Sequence, residues 1–248
     1  MASITEKGLS GRIGPVVYYE MNGKQYARAR PMYKKKRTRA ARHPAASRFG
    51  ICSEAASAAG HLLRSSLPFS FKVKSFNLLR GWLFKQYHLF HERSDWHLGQ
   101  SFVPACQLNP AADLRDFLFV PMEISSTGSH MVQVHIPAFD PAKQIINPMR
   151  AASAQIRIIL MGLVLEKGET FFREQSVPVV FNDGTVAATN LLFEDEQIQA
   201  GAVLMVAVSL SYYTSQQQML KEDSCLPAGV VALGRGEGRE TEKQRNRK

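Results

Sequence analysis

The sequence predicts an α+β fold in which an N-terminal β-hairpin and a helical pair precede an antiparallel β-sandwich. Three observations support this prediction. An Asn-Gly dipeptide joins two short strand-like runs, apolar residues then recur at helical spacing, and beyond residue 114 the periodicity becomes that of short strands. With 248 residues, of which 45% are hydrophobic, the chain is long enough to bury a sizeable core.

The hairpin lies near the N-terminus, where residues 16–19 and 25–28 flank Asn22-Gly23. Asn-Gly tolerates the positive φ angles of a type I′ turn, whose twist matches that of paired strands. Alternation along the second strand places four side chains on one face: Lys24, Tyr26, Arg28 and Arg30. We therefore expect a basic hairpin and arm over residues 1–44.

The formal net charge of +10 lies entirely in the first fifth of the chain. Residues 1–50 contain twelve Lys or Arg and two acidic residues, whereas residues 51–248 contain nineteen of each sign. This segregation predicts a cationic arm on a neutral globule, and such an arm favours a polyanionic partner. The candidate polyanion-binding residues are Lys24, Arg28, Arg30, Lys34, Lys35, Lys36, Arg37, Arg39 and Arg42.

Two interpretations of this arm stay open: it is a solvated linker, or it contacts phosphates. Each neutralised phosphate would add about 0.9 to the salt slope of binding on duplex nucleic acid. Tyr18, Tyr19, Tyr26 and Tyr33 could stack on bases, at about 1–3 kcal/mol per base, or could form the packing face of the hairpin. Helix-turn-helix, zinc-finger and RNP-type motifs are missing, so sequence-specific reading is not predicted.

Apolar residues at three- and four-residue spacing predict an antiparallel helical pair over residues 45–92. The first stripe has mostly small side chains and ends before Pro68: Phe49, Cys52, Ala56, Ala59 and Leu63. The second stripe is larger: Val73, Phe76, Leu79, Leu83, Tyr87 and Phe90. Residues 93–114 contain glycine and prolines and are predicted to be a linker.

The β-sandwich is predicted over residues 115–215, because strand-like segments follow one another without a helical pattern between them. These segments are residues 118–124, 131–136, 155–165, 177–181, 186–193 and 203–213. Asn182-Asp183-Gly184 is interpreted as a turn or as part of a longer loop. Residues 216–248 are predicted to form a polar, partly disordered tail.

One cluster has the residue types that bind metals: His88, His91, Glu92, Asp95 and His97. On a helix His91 and Asp95 would share a face, in a degraded form of the His-Glu-x-x-His zinc motif. The helix is predicted to end near Glu92, which spoils the convergence of ligands that zinc requires, so no metal site is predicted. Glu194-Asp195-Glu196 is interpreted as an acidic turn rather than a calcium site.

Catalytic motifs are missing as well. The three cysteines, Cys52, Cys106 and Cys225, are spaced for neither disulfides nor zinc, and the sequence contains no Gly-x-Ser-x-Gly elbow. We therefore expect a non-enzymatic protein without a cofactor or a small-molecule substrate. Residues 1–20 lack the apolar run that follows the first charges of a secretory signal, so we expect no such signal. The longest apolar runs are far below the ~20 residues of a spanning helix, so we expect a cytoplasmic location and no membrane partner.

Two stretches resemble an uncharacterised family of Bacteroidetes-type bacterial proteins of about this chain's length. One comprises residues 11–14, 16–19, 22–24 and 28–31, followed by a basic helix start with Thr38, Arg48 and Phe49. The other comprises residues 134–141, 146–148 and 155–165. The chain departs from the family at Ala151-Ala152-Ser153, where members usually carry an Ala-Thr-His-type triplet. The resemblance implies an N-terminal hairpin and helix, a β-rich C-terminal half and a bacterial context, and it implies no activity or site residue.

The leading functional hypothesis is a binding or scaffold protein whose basic arm contacts a polyanion, nucleic acid above all, without sequence readout. The alternative is a structural or assembly protein of phage or mobile-element type. In that case the arm contacts neighbouring subunits of a homo-oligomer.

Overall fold

The computed structural model of the chain describes residues 3–5, 8–21, 24–29, 44–88, 98, 105–126, 130–164, 169–182, 184–196, 198 and 202–236. The chain divides into two compact units, Met1–His43 and Pro44–Lys248.

The N-terminal unit is a four-stranded antiparallel meander in the order β1-β2-β3-β4. Its strands are β1 (Ser3–Thr5), β2 (Gly8–Ile13), β3 (Val16–Met21) and β4 (Lys24–Ala29). Met21 pairs with Lys24, so β3 and β4 are joined by the two residues Asn22-Gly23. The predicted hairpin is therefore confirmed, and β1 and β2 extend it on one side. Gly14, at φ +55°, supplies the positive φ that the tight turn between β2 and β3 requires.

The C-terminal unit begins with two helices, α1 (Pro44–Ser66) and α2 (Val73–Lys85). The small-residue stripe of α1 is buried as predicted, except that Phe49 is 47% exposed. In α2 the side chains of Leu79, Trp82 and Leu83 are buried, whereas Val73 is 73% exposed. The helix ends at Lys85, before Phe90, which lies outside the described residues.

The centre of the unit is a five-stranded antiparallel sheet in the order β5-β12-β11-β8-β9. Its strands are β5 (Cys106–Gln107), β8 (Ser153–Val164), β9 (Glu169–Val180), β11 (Val203–Tyr213) and β12 (Ala228–Arg235). Side chains alternate between its two faces. On β8, for example, Ile159 and Met161 join the helices in one core, while Ile158 and Leu160 join a second core on the opposite face.

That second core lies between the five-stranded sheet and a three-stranded antiparallel sheet, β10-β7-β6. The strands are β6 (Glu123–Ser126), β7 (Met131–Ile136) and β10 (Thr189–Glu194). A short helix, α3 (Pro141–Gln144), follows β7 and is capped by Asp140, whose carboxylate accepts from the Ala142 amide. The unit thus has three layers, helices, central sheet and outer sheet, and the predicted α+β class with an antiparallel sandwich is confirmed.

Three predicted boundaries differ from the structure. Residues 216–248, predicted as a polar tail, contain β12, which pairs with β11 in the middle of the central sheet. Residues 93–114, predicted as a linker, contain the edge strand β5. The helical pair and the sandwich, predicted as separate parts, share a core in one unit. The physical reason is the same in each case: burial by long-range packing, which local pattern does not show.

Arg157 ties the helical layer to the central sheet. Its guanidinium, which projects from β8, donates to the carbonyl oxygen of Ser66, the last residue of α1. A cation at this position satisfies one of the unpaired carbonyls at the helix C-terminus and matches the sign of the helix dipole. Among the described residues, no helix has the length and apolarity that crossing a membrane would require.

Candidate polyanion-binding face

The structure describes two of the nine predicted polyanion-binding residues, Lys24 and Arg28, both on β4. The other seven lie outside the described residues: Arg30, Lys34, Lys35, Lys36, Arg37, Arg39 and Arg42. The described part of the candidate site is therefore the N-terminal sheet, whose last strand, β4, precedes the basic segment in the sequence.

Strand register places Lys24 and Arg28 on one face of this sheet together with Tyr26. Residues that pair directly across antiparallel strands project to the same face. Tyr19 pairs with Tyr26, and Val17 pairs with both Arg28 on β4 and Arg12 on β2. The face, called here the tyrosine–arginine face, consists of Arg12, Val17, Tyr19, Lys24, Tyr26 and Arg28.

Aromatic and cationic side chains are ordered against one another on this face. The rings of Tyr19 and Tyr26 stack with centroids 5.7 Å apart and planes inclined by 21°. The guanidinium carbon of Arg28 lies 5.5 Å from the Tyr19 ring centroid, within the range of a cation–π contact. Arg12 Nε donates to the Gly14 carbonyl oxygen at 3.1 Å, which holds this side chain near the β2–β3 turn.

The single acidic residue of the described part of this unit, Glu20, lies on the opposite face. It pairs with Gln25, one position out of phase with Tyr19 and Tyr26. The tyrosine–arginine face therefore carries three cations and no carboxylate among the residues that the structure describes. This separation of charge by face concentrates positive potential on one side of the sheet.

None of the six side chains on this face is buried in a hydrophobic core. Across residues 11–20 and 24–29 every residue is half-buried or exposed, and Tyr26 is 37% exposed. The tyrosines thus pack on each other, as one of the two interpretations predicts, and still present ring surface to solvent. Arg12 was not predicted as a site residue, because β2 contains two glycines and little alternation and was not recognised as a strand.

The described residues do not form a metal site at either of the two other clusters, the histidine-rich cluster and the acidic turn Glu194-Asp195-Glu196. His88 is exposed, and the other four members of the histidine-rich cluster lie outside the described residues. Within the described ranges no three His, Cys, Asp or Glu side chains are grouped to hold a metal ion. Asp195 is buried and paired with Arg173, at 2.9 Å between Oδ2 and Nη2, so its immediate partner is a side chain of this chain.

All three cysteines are buried, and at Cys52 and Cys106 burial disfavours the nucleophilic thiolate. Burial raises the pKa of the Cys52 thiol to about 11, and burial together with the charge of Asp113 raises the pKa of Cys106 to about 12. Cys225 is 6% exposed. All three are free thiols that pack as small apolar side chains.

No family model matches the chain, and neither a curated protein nor a solved structure is significantly similar to it. The resemblance to the Bacteroidetes-type family therefore stays a prediction.

Proposed function

We propose that the protein is a non-catalytic binding or scaffold protein that contacts nucleic acid through its basic N-terminal unit, without reading sequence. The observation that supports this proposal is the tyrosine–arginine face. Arg12, Lys24 and Arg28 lie with the Tyr19–Tyr26 stack on one side of a sheet, and Glu20 lies on the other.

The chemistry of this face suits a strand of nucleic acid. Lys and Arg side chains neutralise phosphates and release counterions, which makes binding salt-dependent and largely independent of sequence. Exposed rings offer stacking surfaces to any base. The basic run from Lys34 to Arg39 continues along the chain from β4 and supplies further phosphate contacts.

The test is the affinity of the full chain for labelled random single-stranded DNA and RNA, measured by fluorescence anisotropy between about 50 and 200 mM salt. In the double variant Lys24→Gln/Arg28→Gln we expect weaker binding at every salt concentration. We also expect the log–log salt slope to fall by about 1.4, because each lost phosphate contact to a single strand accounts for about 0.7.

The matched control removes two positive charges from the other unit, as Lys143→Gln/Lys221→Gln. Both side chains are exposed, and Lys143 loses only an exposed pair with Asp140. Equal losses in the two double variants would show that net charge alone acts, and the proposed face would be wrong. Salt-insensitive oligomers that Lys24→Gln/Arg28→Gln dissociates would instead favour the assembly alternative.

A further inference from the structure

The helical layer of the C-terminal unit is basic. Residues 55–91 contain no Asp or Glu, and within them lie five cations. These cations are Arg64, Lys72, Lys74, Arg80 and Lys85. A solvated helix usually carries both signs of charge in stabilising pairs, and α2 has only one sign.

The neutral charge sum of residues 51–248 conceals a separation between layers. Within this range the described helical segment, residues 51–88, contains five Lys or Arg and one acidic residue. The described residues from 105 to 236, which form the sheets, contain seven Lys or Arg and eleven acidic residues. Within residues 51–248 the described helical segment is therefore positive by four charges and the strand-rich part is negative by four.

The cations of α2 are not neutralised within the described structure. Lys72, Lys74 and Lys85 are exposed, and none of them forms an ion pair with another described residue. Lys72 and Lys74 lie at the start of α2, where the helix dipole already adds positive partial charge, and the N-cap side chain makes no capping hydrogen bond. This arrangement destabilises the free helix slightly, and an anion would relieve it.

Aromatic rings are interleaved with these charges. Phe84 is 42% exposed, and Phe49, in the second turn of α1, is 47% exposed. The two rings meet edge to face at 6.4 Å. Large exposed rings that touch each other form a patch rather than isolated surface residues, and such patches mark interaction sites.

Arg80 is held in place between rings. Its guanidinium carbon lies 4.8 Å from the Phe49 ring centroid and 5.3 Å from that of Phe76. Its Nη2 donates to Asn77 Oδ1 at 2.8 Å. A cation fixed in this way loses little freedom when it binds a partner, so it is pre-organised for contact.

We propose that this face is a second nucleic-acid contact that binds single strands. The face, called here the helical basic face, consists of Phe49, Lys72, Lys74, Arg80, Phe84 and Lys85. Lysines and Arg80 contact phosphates, and unpaired bases stack on the exposed rings of Phe49 and Phe84. A duplex offers its backbone but no free base faces, so the rings favour the single strand. Lys74 and Lys85 are about 16 Å apart along the helix, enough for a short run of nucleotides.

This inference goes beyond the proposed function, since it concerns a different surface on the other unit and has its own variants. The experiment uses the full chain, with Lys34, Lys35, Lys36 and Arg37 replaced by Gln to lower the contribution of the arm. Labelled oligo(dT) is the probe, and unlabelled duplex DNA is the competitor.

The variant Phe84→Leu keeps an apolar side chain and removes the stacking ring. We expect it to weaken oligo(dT) binding about 5- to 150-fold, which corresponds to the loss of one stacked base. The matched control is Phe119→Leu, the same change at a ring that is 53% exposed in the strand-rich part, with no loss expected. In Lys74→Gln/Lys85→Gln we expect the salt slope to fall by about 1.4.

Three results would overturn the proposal. The first is oligo(dT) binding by Phe84→Leu that equals that of Phe119→Leu. The second is duplex DNA that competes as well as single strands and depends on the lysines alone. The third is a change in the sedimentation of the free protein without a change in oligo(dT) affinity, which would assign the face to contact with a second copy. Lys24 and Arg28 are intact in all of these variants, so the N-terminal face contributes equally to each, and differences between the variants report on the helical basic face.

Discussion

The N-terminal sheet and the central sheet of the C-terminal unit are both antiparallel, but their side chains meet different surroundings. On β11 ten of eleven residues are buried, with helices against one face and the outer sheet against the other. In the N-terminal sheet none of the residues 11–20 and 24–29 is buried. Both regions are antiparallel sheets, but the strand β11 is buried on both faces, whereas the described residues 11–20 and 24–29 of the N-terminal sheet are half-buried or exposed.

This difference in burial separates residues whose identity follows from packing from residues whose identity does not. The sequence of β11 is a nearly continuous apolar run because both of its faces are covered, so packing accounts for it. No core of the described residues accounts for Tyr19, Tyr26 and Arg28 on the N-terminal sheet. The proposed contact with nucleic acid would account for their arrangement on one face, and the proposed second contact would account for the exposed rings of Phe49 and Phe84.

The largest expected effect is the loss of stability caused by a substitution that creates a cavity beside the central sheet. Leu204, on β11, is fully buried, so Leu204→Ala should lower the free energy of unfolding by about 2–5 kcal/mol. Ile13, on β2, is 52% exposed, and Ile13→Ala should change the stability of the C-terminal unit by less than about 0.5 kcal/mol. Urea unfolding followed by tryptophan fluorescence measures this, since both tryptophans belong to Pro44–Lys248. Similar effects at the two positions would show that the comparison is wrong.

A smaller loss should follow removal of a buried polar contact. Asn109 is 2% exposed, and its Nδ2 donates to the carbonyl oxygens of Asp223 and Leu226. In Asn109→Leu these carbonyls lose their donor in a buried setting, so we expect about 2–4 kcal/mol of destabilisation. Hydrogen exchange should quicken in β12 more than in β9. Uniform exchange throughout the sheet would mean that Asn109 does not anchor the C-terminal strand.

Local pattern predicts an element when its own residues carry the signal. Asn22-Gly23 located the hairpin, and the strands predicted at 131–136 and 203–213 coincide with β7 and β11. The signal is weak in β12, whose sequence contains Ala and two glycines and whose burial depends on pairing with β11 far along the chain. Because such burial is decided by tertiary contacts, a polar tail was predicted there instead.

The candidate sites show the same limit. Alternation along β4 placed Lys24, Tyr26 and Arg28 on one face, and the strand register agrees. Arg12 requires recognition of β2 and its register with β3, which composition does not reveal. The charge pattern of the sequence did not predict the helical basic face, for a different reason. A charge sum over residues 51–248 cancels two layers of opposite sign that only the fold separates.

Two glycines offer a pair of substitutions with opposite expected signs. A Cβ on Gly162 would lie 1.8 Å from Cε1 of the buried Phe171 ring on the neighbouring strand, so Gly162→Ala should destabilise by about 1–3 kcal/mol. A Cβ on Gly81, on the exposed side of α2, meets nothing within 4 Å. Gly81→Ala should therefore stabilise the unit by up to about 1 kcal/mol. Thermal unfolding measures both, and destabilisation by Gly81→Ala would mean that α2 is more closely covered than the structure shows.

The smallest expected effect concerns acid. Asp113 Oδ1 accepts from the Arg115 amide at the start of a 3-10 turn, and its carboxylate pairs with the Arg115 guanidinium at 2.5 Å. The hydrogen bonds from Arg115 lower the pKa of Asp113 below its ordinary value of 3.8.

A carboxyl with a lower pKa in the folded state stabilises that state at pH values above its unfolded pKa, and this stabilisation is lost as pH falls through the folded pKa. Asp113→Asn should cost about 0.5–1 kcal/mol at neutral pH. The difference from the unmodified protein should shrink as pH falls below the ordinary carboxyl pKa of 3.8 and should disappear only below the lower pKa of Asp113 in the folded state. Glu123→Gln, a change at an exposed carboxylate of β6, serves as the control in the same urea titrations. A difference for Asp113→Asn that stays constant with pH would indicate that the cap geometry, and not the carboxylate charge, stabilises this turn.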